Sequence, residues 1–328
     1  MTKQIVVPLD GSKAAEMALP HAVATSRATH YGITLLRVVP PPVVVNSSAW
    51  TIAPAINVWE GWEEEVVAEN DYLAGVGERL RNMGVEVTTT LLEDDPASAI
   101  VDYAERHPDV AIVVMSTHGR GGLSRWIFGS VAEKVLHALS VPLLLVRSQE
   151  DEMLPPDFTP PEYKSIMVPL DGSAFAEQAL KQAEAIAAVQ GAMITLVTAV
   201  PEGPVLGELV TPPALPTIWD DEVDKMKSYL ESVAARLRGD GLQVDVRVDY
   251  GPAADVILRV ADAIHADLVV MATHGRSGLP RLWLGSVAMK TVQVCHRPVL
   301  LVRARQESKR VEHPAQDDPA EREKHPVG

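Results

Sequence analysis

Two stretches of the chain, residues 115–131 and 271–287, place glycine, arginine and a Gly-Ser pair at the same spacing. Their sequences are MSTHGRGGLSRWIFGSV and MATHGRSGLPRLWLGSV, and we call them the first and second glycine loops. Glycine lets backbone N–H groups approach an anion closely, and the N–H groups at a helix N-terminus point towards it. Ser130 and Ser286 are expected to cap the helices that follow and to donate to the ligand. The two loops are therefore predicted to bind phosphate groups.

Arginine side chains in the glycine loops are suited to a polyphosphate, since guanidinium groups bind phosphate oxygens in a bidentate manner. The four arginines concerned are Arg120, Arg125, Arg276 and Arg281. The chain as a whole has 29 lysines and arginines against 44 aspartates and glutamates, a formal net charge of −15. This balance argues against a nucleic-acid partner or an anionic membrane surface. His118 and His274 have the residue type of a general base, but a loop histidine bonded to the backbone is the favoured interpretation.

The composition indicates a cytoplasmic protein with aliphatic cores. The 328 residues are 47% hydrophobic but only 5% aromatic. The single cysteine, Cys295, excludes an internal disulfide and a cysteine-rich metal site, and it is expected to be a small buried hydrophobic residue. The sequence shows neither a basic and apolar leader nor an apolar run of about 18 residues, so no membrane span is expected.

The chain contains an internal repeat in which the order and spacing of several segments are held. The matching pairs, besides the glycine loops, are 5–12 with 166–173, 33–36 with 194–197, and 141–147 with 297–303. We therefore predict two copies of one domain, with a linker and a tail. The boundaries are 1–149 for the first domain, 150–163 for a Pro-rich acidic linker, 164–305 for the second domain and 306–328 for a disordered charged tail.

Strand and helix patterns alternate within each copy, which predicts a parallel sheet. In the first copy, strands are predicted at 4–8, 34–39, 85–91, 110–114 and 142–147, and helices at 14–29, 59–83, 96–106 and 131–139. Pro20 lies inside the first helix and predicts a kink there. The predicted fold class is therefore α/β, with two tandem doubly wound domains that each contain a five-stranded parallel sheet.

Two features of this arrangement predict contacts beyond a single domain. The loops 40–58 and 201–218 are long, apolar and Pro-rich, which favours a lid or a partner surface. The last strands of the two copies, 142–147 and 298–303, are strongly apolar and fall at a sheet edge, which should not be left in water. We therefore predict that these edges pair antiparallel within the chain about a pseudo-twofold axis. Further association of whole chains into a homodimer is also expected.

The repeated residues resemble the universal stress protein family in its tandem-domain form, similar to mycobacterial members. The family signature is G-2x-G-9x-G-[ST]. The residues that fit it are Gly119, Gly129 and Ser130 in the first copy and Gly275, Gly285 and Ser286 in the second. At the opening glycine of the signature this chain has Ser116 and Ala272. The resemblance covers residues 3–148 and 164–304.

The resemblance implies a Rossmann-like sheet with ATP, with or without Mg²⁺, across the carboxyl ends of the strands. In ATP-binding members an aspartate approaches the adenosine, the end of strand two contacts adenine, and the signature residues hold ribose and phosphates. The implied site residues are Pro8, Asp10, Val38, Val39, Ser116, Gly119, Arg120, Gly129, Ser130 and Val131, and Pro169, Asp171, Ala199, Val200, Ala272, Gly275, Arg276, Gly285, Ser286 and Val287. Considered alone, Asp10 and Asp171 are also typical of a turn at a strand–helix corner.

Three functional hypotheses remain open on the sequence. The leading one is an ATP-binding stress-response regulator with one nucleotide per domain, acting as a sensor or switch towards an unknown protein partner. The second is a slow ATPase or phosphotransferase, although no Walker lysine and no pairing of nucleophile and base is evident. The third is a nucleotide-free scaffold, suggested by Ser116 and Ala272, because a position that needs positive φ favours glycine.

Overall fold

The computed structural model describes residues 2–42, 58–117, 128–147, 157–201, 216–273 and 284–303, the side chains of 58–60 and 216–220 excepted. Several predictions fall outside these residues. They concern most of the two long loops, most of the linker, the tail, and the glycine-loop interiors 118–127 and 274–283.

Each half of the chain is a series of alternating strands and helices. The first half comprises β1 (Gln4–Leu9), α1 (Lys13–Glu16), α2 (Ala18–Thr29), β2 (Gly32–Val38), α3 (Val58–Asn82), β3 (Val87–Leu92), α4 (Pro96–Arg106), β4 (Val110–Ser116), α5 (Ser130–Ala138) and β5 (Leu143–Val146). The second half comprises β6 (Ser165–Pro169), α6 (Ala174–Glu177), α7 (Leu180–Gln190), β7 (Met193–Val200), α8 (Pro216–Gly239), β8 (Gln243–Tyr250), α9 (Ala253–Ala263), β9 (Leu268–Ala272), α10 (Ser286–Val294) and β10 (Val299–Val302). The predicted α/β fold class is confirmed.

The strands form one ten-stranded sheet in the order β3-β2-β1-β4-β5-β10-β9-β6-β7-β8. Neighbouring strands within each half are parallel, whereas β5 and β10 pair antiparallel. At this seam Leu144 lies opposite Leu300. The predicted antiparallel pairing of the two edge strands is therefore confirmed, and it covers backbone groups that would otherwise be unpaired.

Most strands are buried because helices cover both faces of the sheet, whereas the outermost strands, β3 and β8, are largely half-buried or exposed. In β1 the side chains of Ile5 and Val7 belong to one apolar cluster and that of Val6 to the other, as the two-residue period of a strand requires. The first cluster includes α2 and α7, which contact each other across the two halves. Both apolar clusters contain residues of both halves, so the cores do not stop at the seam.

The predicted first helix, 14–29, is interrupted at Met17 rather than kinked at Pro20. Pro20 lies in the first turn of α2, where a backbone N–H has no acceptor within the helix. The second half has the same break between α6 and α7, although Lys181 replaces the proline there. The break therefore does not depend on proline. Strand three was also predicted too early, at 85–91, whereas β3 is Val87–Leu92.

The end of the segment predicted as a linker is packed into the molecule. Phe158 is 0% exposed and Tyr163 is 1% exposed. The guanidinium of Arg79 lies 3.8 Å from the Phe158 ring centroid. The Tyr163 hydroxyl lies 2.7 Å from Nδ1 of His21. The backbone N–H of Tyr163 donates to Oε1 of Gln190 at 2.6 Å. Since burial of an aromatic side chain contributes about 2 kcal/mol, this segment helps to hold the two halves together.

Candidate functional site

The candidate site of the first half lies where β1, β2 and β4 end and α1 and α5 begin. The sheet order reverses between β1 and β4, because β2 and β3 extend to one side and β5 to the other. In parallel α/β sheets, ligands bind at the carboxyl ends of strands beside such a reversal. In the second half, β6 and β9 form the equivalent reversal.

Asp10 is held in a hydrogen-bonded corner between β1 and α1. Its Oδ1 accepts from the backbone N–H of Ser12 at 2.9 Å and from the Ser12 hydroxyl at 2.6 Å. The Ser12 Oγ in turn accepts from the N–H of Ala15 at 3.1 Å and caps α1. The intervening Gly11 has φ +81°, a value that favours glycine. The turn interpretation of the aspartate is therefore correct, and the same bonds fix its carboxylate at the end of β1.

The second half repeats this corner closely. Oδ1 of Asp171 accepts from the N–H of Ser173 at 3.0 Å and from its hydroxyl at 2.6 Å. The Ser173 Oγ accepts from the N–H of Ala176 at 3.2 Å. Both aspartates are half-buried. The two halves therefore share the hydrogen-bonded geometry of this corner as well as the sequence Asp-Gly-Ser.

The end of β2 provides an apolar surface beside this corner. Val38 and Val39 are 5% and 1% exposed, and the N–H of Val39 donates to the Leu92 carbonyl at 2.8 Å. In the second half Val200 is buried and Ala199 is half-buried. Pro8 and Pro169 are half-buried near the ends of β1 and β6. These side chains suit contact with an aromatic base better than with a charged group.

Ser116 and Ala272 are the last residues of β4 and β9, opposite Val146 and Val302. They are 5% and 7% exposed. Neither residue has a positive φ, so the backbone at this point does not require glycine. The backbone reason for expecting a nucleotide-free scaffold is therefore removed.

Gly129 and Gly285 connect the strand ends to the next helices. The N–H of Gly129 donates to the Thr117 carbonyl at 2.9 Å, and that of Gly285 donates to the Thr273 carbonyl at 2.9 Å. A Cβ atom at position 285 would lie 3.1 Å from the Thr273 carbonyl oxygen, which is a tight contact. Glycine at this position therefore allows the helix start to lie close against the strand end.

The expected capping role of Ser130 and Ser286 is wrong. The N-cap residues are Gly129 and Gly285, with φ/ψ of −59°/145° and −60°/150°, and neither helix has a side-chain cap. The two serines are the first helical residues and are exposed, and the valines that follow them, at 131 and 287, are half-buried. Because the N–H groups of a first helical turn lack partners within the helix, α5 and α10 present donors at this edge of the sheet.

A buried ion pair beside the first site was not foreseen. Arg37, in β2, donates from Nε to Oε2 of Glu69 at 2.7 Å and from Nη2 to Oε1 at 2.6 Å. Its Nη1 donates to the Leu9 carbonyl at 3.3 Å, directly before the aspartate corner. The side chains of the pair are only 8% and 11% exposed. An arginine inside the otherwise uncharged run GITLLRV was the available signal in the sequence.

In the second half, uncharged residues stand at the two positions equivalent to this ion pair. Tyr72 and Tyr229 occupy equivalent positions in α3 and α8. The Tyr72 hydroxyl donates to Glu16 of α1 at 2.8 Å, and the Tyr229 hydroxyl donates to Glu177 of α6 at 3.0 Å. Counting back along α3 and α8 from these tyrosines places Met226 where Glu69 stands. Thr198 likewise replaces the arginine in β7. The two candidate sites therefore share their hydrogen-bonded corners but differ in the buried groups beneath them.

Some predicted residues cannot be placed. Gly119, Arg120, Gly275 and Arg276 lie outside the described residues, as do His118, His274, Arg125 and Arg281. Within the described ranges, no group of three or more His, Cys, Asp or Glu side chains is placed to hold a metal ion. Cys295 is 4% exposed and burial raises the pKa of its thiol, in agreement with its predicted role as a small buried hydrophobic residue. None of the described helices is both long and apolar enough to cross a membrane.

Comparison with known proteins gives the same family for both halves. The profile of the Universal stress protein family matches residues 1–147 and 162–303. A universal stress protein of Mycolicibacterium smegmatis is 28% identical over 317 residues, which cover 92% of this chain and 97% of that protein. One from Mycobacterium tuberculosis is 28% identical over 308 residues, which cover 91% of this chain and 96% of that protein.

A solved structure shows the same arrangement of elements. The crystal structure of a universal stress protein from Archaeoglobus fulgidus superposes with a TM-score of 0.63 at 18% identity. The match covers 92% of this chain and 98% of that one, and at this identity it shows the fold alone. The two profile matches, which together span most of the chain, establish that it belongs to the universal stress protein family, with two domains of that family in tandem.

Proposed function

We propose that the protein is an ATP-binding regulator of the stress response, with one nucleotide in each half. The adenine lies against Val38 and Val39 in the first half and against Ala199 and Val200 in the second. Asp10 and Asp171 accept hydrogen bonds from the adenosine end. The phosphates lie at the starts of α5 and α10, and Gly119, Arg120, Gly275 and Arg276 are the proposed phosphate-binding residues of the glycine loops.

The observation that carries this proposal is the repeated connection from strand end to helix start. In both halves a glycine N-cap donates to a threonine carbonyl at 2.9 Å, and no side chain caps the helix. Backbone donors are thereby directed to the point beside the sheet reversal where a ligand is expected. Two such arrangements in a chain of net charge −15 favour a specific anion site over a general electrostatic one.

We assign a binding role rather than catalysis with useful turnover. The aspartate in each corner is engaged with the adjacent serine, so its Oδ1 already accepts two hydrogen bonds. ATP level, or the ratio of ATP to ADP, then acts on the long loops and through them on a protein partner in the cytoplasm. The proposed domain boundaries are 1–149 and 164–305, and whole chains associate as a homodimer.

The first test asks what the purified protein carries. The chain is denatured and the released small molecules are identified by mass spectrometry, with adenine nucleotide as the expected result. Calorimetric titration of the emptied protein, with and without Mg²⁺, should then give two sites per chain and tighter binding of ATP than of GTP. A chain that releases no nucleotide and binds none would be a scaffold instead, and turnover of labelled ATP would indicate the slow ATPase.

A further inference from the structure

The seam between the two halves contains a reciprocal exchange of arginines. Arg303, directly after β10, donates from Nη2 to the carbonyls of Leu136 at 2.6 Å and His137 at 3.2 Å, in the last turn of α5. Arg147, directly after β5, donates from Nη1 to carbonyls at the end of α10. These belong to Gln293, Val294 and Cys295, at 3.4, 3.3 and 3.4 Å. Each half therefore supplies a cation to a helix of the other half.

These contacts stabilise the two helices at their carboxyl ends. The last carbonyls of a helix accept no hydrogen bonds from N–H groups of the same helix, and the helix dipole concentrates negative partial charge at this end. A guanidinium at this end satisfies carbonyls and complements the dipole. The helices α5 and α10 are nine residues each, so one such contact affects a large part of each helix.

The same helices begin at the candidate phosphate sites. Hydrogen bonds connect the start of each helix to the carboxyl end of the other. In the first half, Gly129 donates to the Thr117 carbonyl at 2.9 Å, and Thr117 donates to the Val146 carbonyl at 2.9 Å. The next residue is Arg147, which reaches the second half. The second half repeats this path through Gly285, Thr273, Val302 and Arg303, with bonds of 2.9 and 3.0 Å. The two paths and the two helices together form a closed circuit through both sites.

We propose that Arg147 and Arg303 are positioning residues that complete the phosphate site of the opposite half. Arg303 holds α5 in place for the first site, and Arg147 holds α10 in place for the second. Neither half then has its full affinity for nucleotide without the other half. This inference rests on the proposed function, since it deepens the assignment of the helix starts to phosphate.

The test uses full-length chains in which only one site remains. Ser286→Glu places a carboxylate at an exposed first-turn position, where a negative charge suits the helix but repels phosphate. This chain reports the first site, and Ser130→Glu equally leaves the second. Into each chain we introduce Arg303→Met or Arg147→Met, and we titrate ATP after confirming the fold by circular dichroism. Thermal midpoints are recorded for all four combinations.

The expected result is a crossed pattern of affinities. Arg303→Met should weaken ATP binding at the first site by about threefold to tenfold, which lies within the range for a cation at a partly buried helix end, and should leave the second within about twofold. Arg147→Met should do the reverse. Arg303→Lys, which retains a charged donor, should recover part of the loss at the first site. A general loss of stability would weaken both sites and would not produce an effect confined to the opposite half.

Other outcomes overturn the inference. If each arginine affects only the site of its own half, both sites equally, or neither, the arginines do not position the opposite helix. If neither single-site chain nor the unaltered chain binds ATP, the proposed function itself fails and the inference fails with it. Binding by the unaltered chain without any effect of the arginines overturns the inference alone.

Discussion

Arg37 and Glu69 form a two-point ion pair, 2.7 and 2.6 Å, between β2 and α3, at positions that Thr198 and Met226 occupy in the second half. Removal of one partner of a buried pair leaves the other charge uncompensated, whereas replacement of both by neutral groups is often nearly neutral. Glu69→Met alone should therefore lower the free energy of unfolding by about 3 kcal/mol. The double change Arg37→Thr with Glu69→Met, which copies the second half, should cost about 1 kcal/mol or less.

Urea denaturation of the Arg37→Thr, Glu69→Met and double variants measures this difference directly. The signature is strong non-additivity, because the double variant is more stable than the Glu69→Met variant. Simple addition of the two single effects would show that the pair contributes nothing as a pair. In the second half, Thr198 and Met226 already occupy these positions, so this neutral pair can pack in the same fold.

Among the residues that the structure describes, none forms a hydrogen bond with the hydroxyl of Thr291, in the middle of α10, although this residue is 0% exposed. The equivalent residue of α5 is Val135, also 0% exposed. Thr291→Val should raise the free energy of unfolding by about 1 kcal/mol, since a buried unsatisfied hydroxyl is costly. The matched change Val135→Thr should lower it by a similar amount. If both variants shift the urea midpoint in the same direction, the hydroxyl is not the cause.

Protonation of His21 should destabilise the contact with Tyr163. Burial lowers the pKa of His21 from 6.5 to about 4. The unfolded chain therefore binds the proton more readily than the folded chain, and stability rises with pH between about 4 and 6.5. The contribution is complete above pH 6.5 and is lost as the pH falls towards 4, with a total of about 3 kcal/mol as an upper bound.

The comparison that isolates this effect is His21→Gln, which keeps a side chain able to bond the Tyr163 hydroxyl but does not titrate. The difference in unfolding free energy between the two proteins, measured from pH 4 to 8, should change only below about 6.5. Parallel stability profiles over that whole interval would exclude His21 as the titrating group. Subtraction of the variant's profile removes the contribution of the carboxylates, which also protonate in acid.

A carboxylate within both glycine loops should abolish nucleotide binding. Gly119→Glu with Gly275→Glu places a negative side chain where the phosphates are proposed, and a loop substitution should leave the fold intact. Gly75→Glu is the control for charge and size. Gly75 lies in α3 on an exposed face, and a Cβ atom added there meets nothing within 4 Å. A folded double variant with unaltered ATP affinity would show that the loops are not the phosphate site.

Much of the fold follows from repetition and alternation, which are properties of local sequence. The antiparallel seam could be predicted because an apolar strand such as 142–147 cannot be left at an open edge, and the repeat provided its partner. The corner of Asp10 and Ser12 follows from turn chemistry alone. The helix start at Gly129 was assigned one residue late, since Gly and Ser are both common N-caps and only the backbone distinguishes them.

Other features depend on contacts between residues distant in sequence. Phe158 and Tyr163 lie in a segment rich in proline and acidic residues, and their burial is determined by α3, α2 and α7 rather than by their neighbours. The partner of Arg37 is 32 residues away. The exchange of Arg147 and Arg303 is visible only when both halves are placed in one sheet, because each was simply the last residue of a strand.

Because both halves lie in one chain, a substitution on one side of the seam is not repeated on the other. In a dimer of identical subunits every substitution appears twice, on both sides of the axis. In this chain the seam of β5 and β10 joins two segments of one gene product, so one side changes while the other is retained. The ion pair confined to the first half, and the threonine confined to α10, are differences of this kind. Covalent linkage thus permits two similar sites to differ from each other while they share a single sheet.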